Sequence, residues 1–183
     1  MMMTRMRQIL GRFAGDRRGV SAVEFALLAP LMITLYVGCA EVSDGVSADR
    51  KVSLTAAALA NLSSQVTTIS TSDMTNILDA SSAIISPYST GQLQITLSCI
   101  NIDAQSRATV KWSVTRGGSA RSGSVTIPAA LAVANSQLLL GEATYQYRPT
   151  VGYTVTGTLN LQDHMYMSPR ITAPVYNNIA CAS

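Results

Sequence analysis

VSAVEFALLAPLMITLYVGCA, residues 20–40, decides how the rest of the chain is read: 21 residues carrying one charge, Glu24. As an α-helix rising about 1.5 Å per residue it covers about 31 Å, close to the roughly 30 Å hydrocarbon core of a bilayer. Arginines precede it and Glu41, Asp44 and Asp49 follow it. The positive-inside bias therefore leaves residues 1–19 in the cytoplasm and sends the remainder across. The predicted organisation is a basic leader at 1–19, a transmembrane helix at 20–42 and an outer domain at 43–183.

The composition agrees. Of 183 residues, 48% are apolar and only 13% charged, against about 25% charged in soluble domains. The net charge of +3 is not spread evenly. Residues 1–19 hold Arg5, Arg7, Arg12, Arg17 and Arg18 against Asp16, a net of +4, whereas residues 20–183 hold eight basic and nine acidic side chains, a net of −1. The outer domain thus lacks the basic patch that nucleic acid requires. Its length suits one core of ordinary size.

Two residues ask for more than an anchor. A carboxylate inside an apolar helix costs about 2.5–3.5 kcal/mol even on lenient insertion scales, so Glu24 needs a purpose. Gly19 stands five positions before it, after Arg17-Arg18. Cleavage after Gly19 would create an α-amine on Val20, one helical turn from Glu24. Gly19, then Val20-Ser21-Ala22-Val23, then Glu24 and Phe25 resembles the prepilin-peptidase motif of type IVb pilins. The longer run RRGVSAVEFALLAPLMITLYVG, with Pro30 near its middle, resembles the start of TadE-like (TadE or TadF) pilus assembly proteins of the tight-adherence Flp system. That resemblance is close over residues 17–43; LLLGEATYQYRP at 138–149 and Ser168-Pro169-Arg170 look like later features of the family.

The resemblance implies a non-catalytic minor pilin or pseudopilin. It would be cut after Gly19 by a prepilin peptidase and held in the bacterial inner membrane with a periplasmic, pilin-like domain. Its partners would be major and minor pilin subunits and the inner-membrane assembly platform. It implies that Glu24 meets the N-terminal amine of a neighbouring subunit, two charges that are each costly in lipid neutralising one another. Pro30 lacks an N–H and crowds the Ala26 carbonyl, which predicts a kink. Other readings of the segment remain. A secretory signal peptide could use Phe25–Gly38 with cleavage near Cys39 or Ala40, but Glu24 fits it poorly. Gly38-Cys39 resembles the end of a lipobox, but Tyr36 stands where a Leu-like residue belongs; nothing after Arg17-Arg18 continues a twin-arginine motif. The functional alternative is a membrane-anchored extracytoplasmic binding or sensing domain with an uncleaved signal anchor.

Beyond the membrane segment, Val52, Leu59, Leu62, Val66 and Ile69 are spaced as an apolar helical stripe, which predicts that the helix continues to about Ser70. A second helix is expected over 73–85, with Ser72 as N-cap and Ser86-Pro87 as stop. Alternation then predicts strands. Leu93, Ile95, Leu97 and Cys99 share one face; Val110, Trp112 and Val114 share another, with the hairpin turn at 103–106. Residues 116–123, RGGSARSG, read as a loop, and Val125–Ile127 as a short strand; 129–135 is either helix or loop. Leu138–Tyr147 and Tyr153–Gln162 read as two more strands joined by a Pro-Thr-Val-Gly turn, with Tyr145, Tyr147, Tyr153, Val155, Leu159 and Leu161 inward. The fold class is α+β: a long helix, a second helix and an antiparallel sheet of four or five strands.

Neither metal nor cofactor chemistry is indicated. Cys39, Cys99 and Cys181 have no ligand spacing; in an oxidising compartment Cys99 and Cys181 are free to pair, the alternative being two buried thiols. His164, the only histidine, stands beside Asp163 after a strand, and no catalytic residue is assigned. Arg148 and Arg170, each beside a proline, are candidate recognition residues, with pairing to the domain's own carboxylates as the plainer role.

Overall fold

The computed structural model describes residues 18–150 and 157–182. The leader up to Arg17 and the expected inward residues Tyr153 and Val155 lie outside them, as do Val151 and Gly152 of the predicted Pro-Thr-Val-Gly turn. The chain divides into two units between Val42 and Ser43. The first consists, among described residues, of the N-terminal part of α1 (Arg18–Ser64), which stays helical through Pro30.

The second unit is α+β. After α1 come β1 (Thr68–Ile69) and α2 (Thr71–Ala83). Next are β2 (Leu93–Ile102) and β3 (Ala108–Arg116). The chain closes with β4 (Ser136–Tyr147), β5 (Leu159–Met167) and β6 (Val175–Tyr176). One antiparallel sheet has the order β3-β2-β4-β5, and β1 pairs in parallel with β6.

The helical stripe differs from the expectation. Val52 and Leu59 are buried, but Leu62 and Val66 are 37% and 36% exposed. The buried face is instead Ala48, Val52, Thr55, Ala56, Leu59, Ala60, Ser63 and Ser64, mostly small residues at steps of three and four. Thr55 and Ser63 satisfy their hydroxyls on the carbonyls of Lys51 and Leu59, each at 2.8 Å, so these polar groups tolerate burial. Small side chains let the helix lie against the sheet backbone: a Cβ on Gly141 of β4 would stand 2.5 Å from the Ala56 carbonyl oxygen.

The helix stops at Ser64, six residues before the expected end. A run of β-branched residues, Val66 to Ile69 with no interruption, favours extended backbone, and Thr68-Ile69 pairs with Val175-Tyr176. The cap of α2 is Ser70, not Ser72. Its hydroxyl accepts from the Asp73 amide at 3.1 Å, while Asp73 Oδ2 accepts from the Ser70 amide at 3.1 Å, a closed capping box.

β2 and β3 form the predicted hairpin, but Val110 and Trp112 do not share a face. Cys99 pairs with Trp112 and Ile100 with Val110, so Lys111 is an extra residue. That bulge turns Trp112 and Val114 toward the helices while Val110 joins Ile100, Ile102, Leu138 and Leu140 on the opposite face. The second cluster is covered by Val125, Ile127 and Leu131. The expected strand at 125–127 is an isolated bridge at Ser124, and 129–131 is a single 3-10 turn within an otherwise irregular stretch.

β5 lies later than predicted, from Leu159 to Met167. Leu161 packs on the helix-side core, whereas Leu159 is 41% exposed: it sits on an edge strand, where the neighbouring side that would cover it is missing among the described residues. Tyr145 and Tyr147 are buried, both against Tyr88 with ring centroids 6.2 Å apart.

Candidate functional site: an apolar helix with one carboxylate

Gly19, Val20, Glu24 and Phe25 all lie in the first two turns of α1. Nothing lies within 4 Å of where a Cβ on Gly19 would be. Val20 is 56% and Phe25 73% exposed, and the exposed apolar side chains continue through Leu35. This is the one helix among the described residues long and apolar enough to cross a membrane, with a window of mean hydropathy 1.9 that is not buried at all. An apolar helix so exposed suits a membrane anchor.

Glu24 stands within that surface. Among the described residues, neither an ion pair nor a hydrogen bond engages its carboxylate. Val20 and Glu24 are four residues apart and so share a helix face. Further along, the Thr34 hydroxyl donates to the Pro30 carbonyl at 2.8 Å.

The other residues singled out by sequence lie in the second unit. Cys99 and Cys181 form a disulfide with Cα atoms 5.9 Å apart, closing a loop of 82 residues. It ends a C-terminal strap. Arg170 anchors the strap's start: its amide donates to the Ser64 carbonyl at 3.0 Å and its Nη2 to Asn61 Oδ1 at 2.8 Å. Trp112 Nε1 donates to the Pro174 carbonyl at 3.3 Å. Arg170 therefore holds the strap to the end of α1 through an amide and a carbonyl, not through a carboxylate. Arg148 is exposed, just before the buried Pro149.

His164 lies inside β5, not after a strand, paired opposite Glu142 of β4. Strand alternation sends the His164 and Asp163 side chains to opposite faces, so they form no dyad; the imidazole instead meets Tyr166 edge-on at 5.4 Å. No group of three or more His, Cys, Asp or Glu able to hold a metal occurs among the described residues. Sequence reasoning missed the Arg121–Glu142 ion pair, which joins the Gly/Ser loop to β4. Its partners are 21 residues apart, and no local pattern signals the contact.

Residues 19–60 match a family model described as TadE-like protein. Comparison with curated proteins and with solved structures gives no match. The matched stretch begins at Gly19, contains Glu24 and Phe25, and ends on the small-residue face that packs on the sheet. By this match the N-terminal segment from Gly19 to Ala60 is TadE-like.

Proposed function

We propose that the chain is a minor pilin or pseudopilin of a tight-adherence pilus, cut after Gly19 by a prepilin peptidase and assembled through the new amine of Val20 and the carboxylate of Glu24. The observation that carries this reading is Glu24: a carboxylate on an exposed apolar helix, with no partner among the described residues of its own chain, inside the segment matched as TadE-like. An unpaired charge in lipid is expensive, and removing one partner of a buried pair is strongly destabilising, so a supplied amine sets which subunits fit and in what register. The amine is absent until Gly19 is cut. Processing thereby gates assembly.

In this reading the apolar part of α1 sits in the inner membrane and the α+β unit lies in the periplasm or on the pilus. Its partners are the peptidase, major and minor pilins and the membrane assembly platform. The oxidising periplasm suits the Cys99–Cys181 disulfide. The test is the mass of the protein extracted from membranes of cells with an active prepilin peptidase. A chain beginning at Val20 is expected. Gly19→Ala should block processing, whereas Glu24→Ala should be processed yet leave few assembled pili by electron microscopy. A chain running intact from Met1 to Ser183 would overturn the proposal and leave an anchored binding or sensing domain.

A further inference from the structure

The sheet face turned away from α1 and α2 is apolar at one end and polar at the other. Ile100, Ile102, Leu138 and Leu140 form the apolar end. The polar end is floored by two cross-strand pairs, Gln94 opposite Thr144 and Thr96 opposite Glu142. Residues 117–123 fold over it. Gly117 has φ +77°, and a Cβ there would stand 3.0 Å from the Leu93 carbonyl oxygen, so the loop turns tightly on the strand end. Arg121 fixes the other side: its amide donates to Ser113 Oγ at 3.0 Å, and its Nε and Nη2 donate to the two carboxylate oxygens of Glu142.

Between floor and loop lies a pocket of about 200 Å³, lined by Gln94, Thr96, Glu142, Thr144, Ser119 and Arg121. Among the described residues, the Gln94 amide and the Thr144 and Ser119 hydroxyls make no hydrogen bond, so they face the pocket with free donors and acceptors. The chemistry of an occupant follows. The charge of Arg121 is matched by Glu142, so neither an anion nor a cation is favoured. A polar lining disfavours an apolar ligand. What remains is a neutral molecule with several closely spaced hydroxyls, which can donate to the remaining lone pairs of Glu142 and accept from the uncommitted N–H groups of Arg121. The volume lies below the roughly 300–1,000 Å³ of sites for drug-sized ligands, which fits one ring.

We propose that this pocket binds a single neutral saccharide residue, held by the Arg121–Glu142 pair with Gln94, Thr144 and Ser119 around it. The site lies wholly in the second unit and does not depend on cleavage at Gly19, so it stands or falls apart from the pilus reading. The test is saturation-transfer NMR on the full chain in a zwitterionic, sugar-free detergent. The probes are neutral methyl hexopyranosides and N-acetylhexosaminides, with methyl glucuronide and inorganic sulfate beside them. At least one neutral glycoside should bind with a millimolar or tighter Kd, equally in wild type and Gly19→Ala. Thr144→Val should weaken it tenfold or more, and Ser119→Ala, on an exposed loop position that cannot unfold the sheet, severalfold. Tighter binding of a disaccharide than of its monosaccharide would assign the ligand to a glycan, and equal binding to a free sugar. Absence of neutral-glycoside binding, binding of the glucuronide or sulfate alone, or unchanged binding in both variants would overturn the proposal.

Discussion

Replacing Gly141 by alanine tests how the second unit is held together. Gly141 has no left-handed backbone, so alanine is free to adopt its conformation and the effect is purely one of space. The new Cβ would stand 2.5 Å from the Ala56 carbonyl oxygen, 3.0 Å from the Ala60 nitrogen and 3.2 Å from the Ala60 Cβ. The nearest atoms are helix backbone, which no rotamer change can move aside. Relief requires α1 to lift by nearly 1 Å, and a gap of about 0.5–1 Å forfeits a quarter to a half of each dispersion contact across the interface. Val52, Leu59 and Ala60, all fully buried, would lose contact with the sheet together. Overpacking of this kind costs about 1–3 kcal/mol. The upper part of that range is expected here, against a total stability of roughly 5–15 kcal/mol. Urea unfolding of the full chain in detergent, followed by the fluorescence of Trp112 buried beside Tyr176, measures it. Ala60→Gly should not rescue the variant, because the closest clash is with the carbonyl of Ala56. A midpoint equal to wild type, or rescue by Ala60→Gly, would refute the packing argument.

Three further outcomes follow from the same unit. Cys99→Ser with Cys181→Ser, or reduction of the wild type, should lower stability by about 4–5 kcal/mol, the chain-entropy value for an 82-residue loop, read as a drop in urea midpoint. Ser81→Ala should raise stability by about 1 kcal/mol, read as a higher urea midpoint, since Ser81 Oγ is buried without a hydrogen-bond partner among the described residues and alanine is the better helix former. The Ser70 hydroxyl, and after it the Ser70 amide, hold the Asp73 carboxyl below its ordinary 3.8. A carboxyl depressed in the folded state contributes stability above its unfolded value and loses it as pH falls through the folded one. Asp73→Asn should therefore be less stable than wild type at neutral pH, with the difference shrinking between about pH 5 and pH 2 in urea midpoints measured across that range.

Period and charge were enough for much of the fold. The apolar run follows from its length and single charge, the second helix from its start and stop residues, and β2, β3 and β4 from a repeat of 2 in large apolar residues. What stayed hidden depends on contacts between distant segments. The end of α1 at Ser64 is set partly by its carbonyl receiving the amide of Arg170, 106 residues away in sequence. The packing face of α1 escaped because its alanines and serines carry little weight in an apolar count, although they are what allows approach to Gly141. The Lys111 bulge escaped because inserting one residue leaves the alternation of Val110, Trp112 and Val114 intact on paper while reversing the faces in space.

The two candidate sites differ in legibility for one physical reason. Glu24 is visible in the sequence because a charge conflicts with its neighbours: the same carboxylate in residues 43–183 would attract no notice, and only an apolar run makes it an anomaly. The pocket on the sheet has no such contrast. Gln94, Ser119, Thr144 and the Arg121–Glu142 pair are ordinary surface residues one by one, and their meaning arises only when β2, β4 and the 117–123 loop bring them around one space. The TadE-like match divides the chain the same way, ending at Ala60 before any strand of the sheet begins. In the proposed reading, anchoring and processing rest on the matched segment, and what the protein binds rests on the sheet and its loop. Exchanging residues 43–183 for the corresponding unit of a chain whose N-terminal segment matches the same family model should leave the proposed processing at Gly19 intact and remove saccharide binding; loss of processing in such a chimera would show that the division is false.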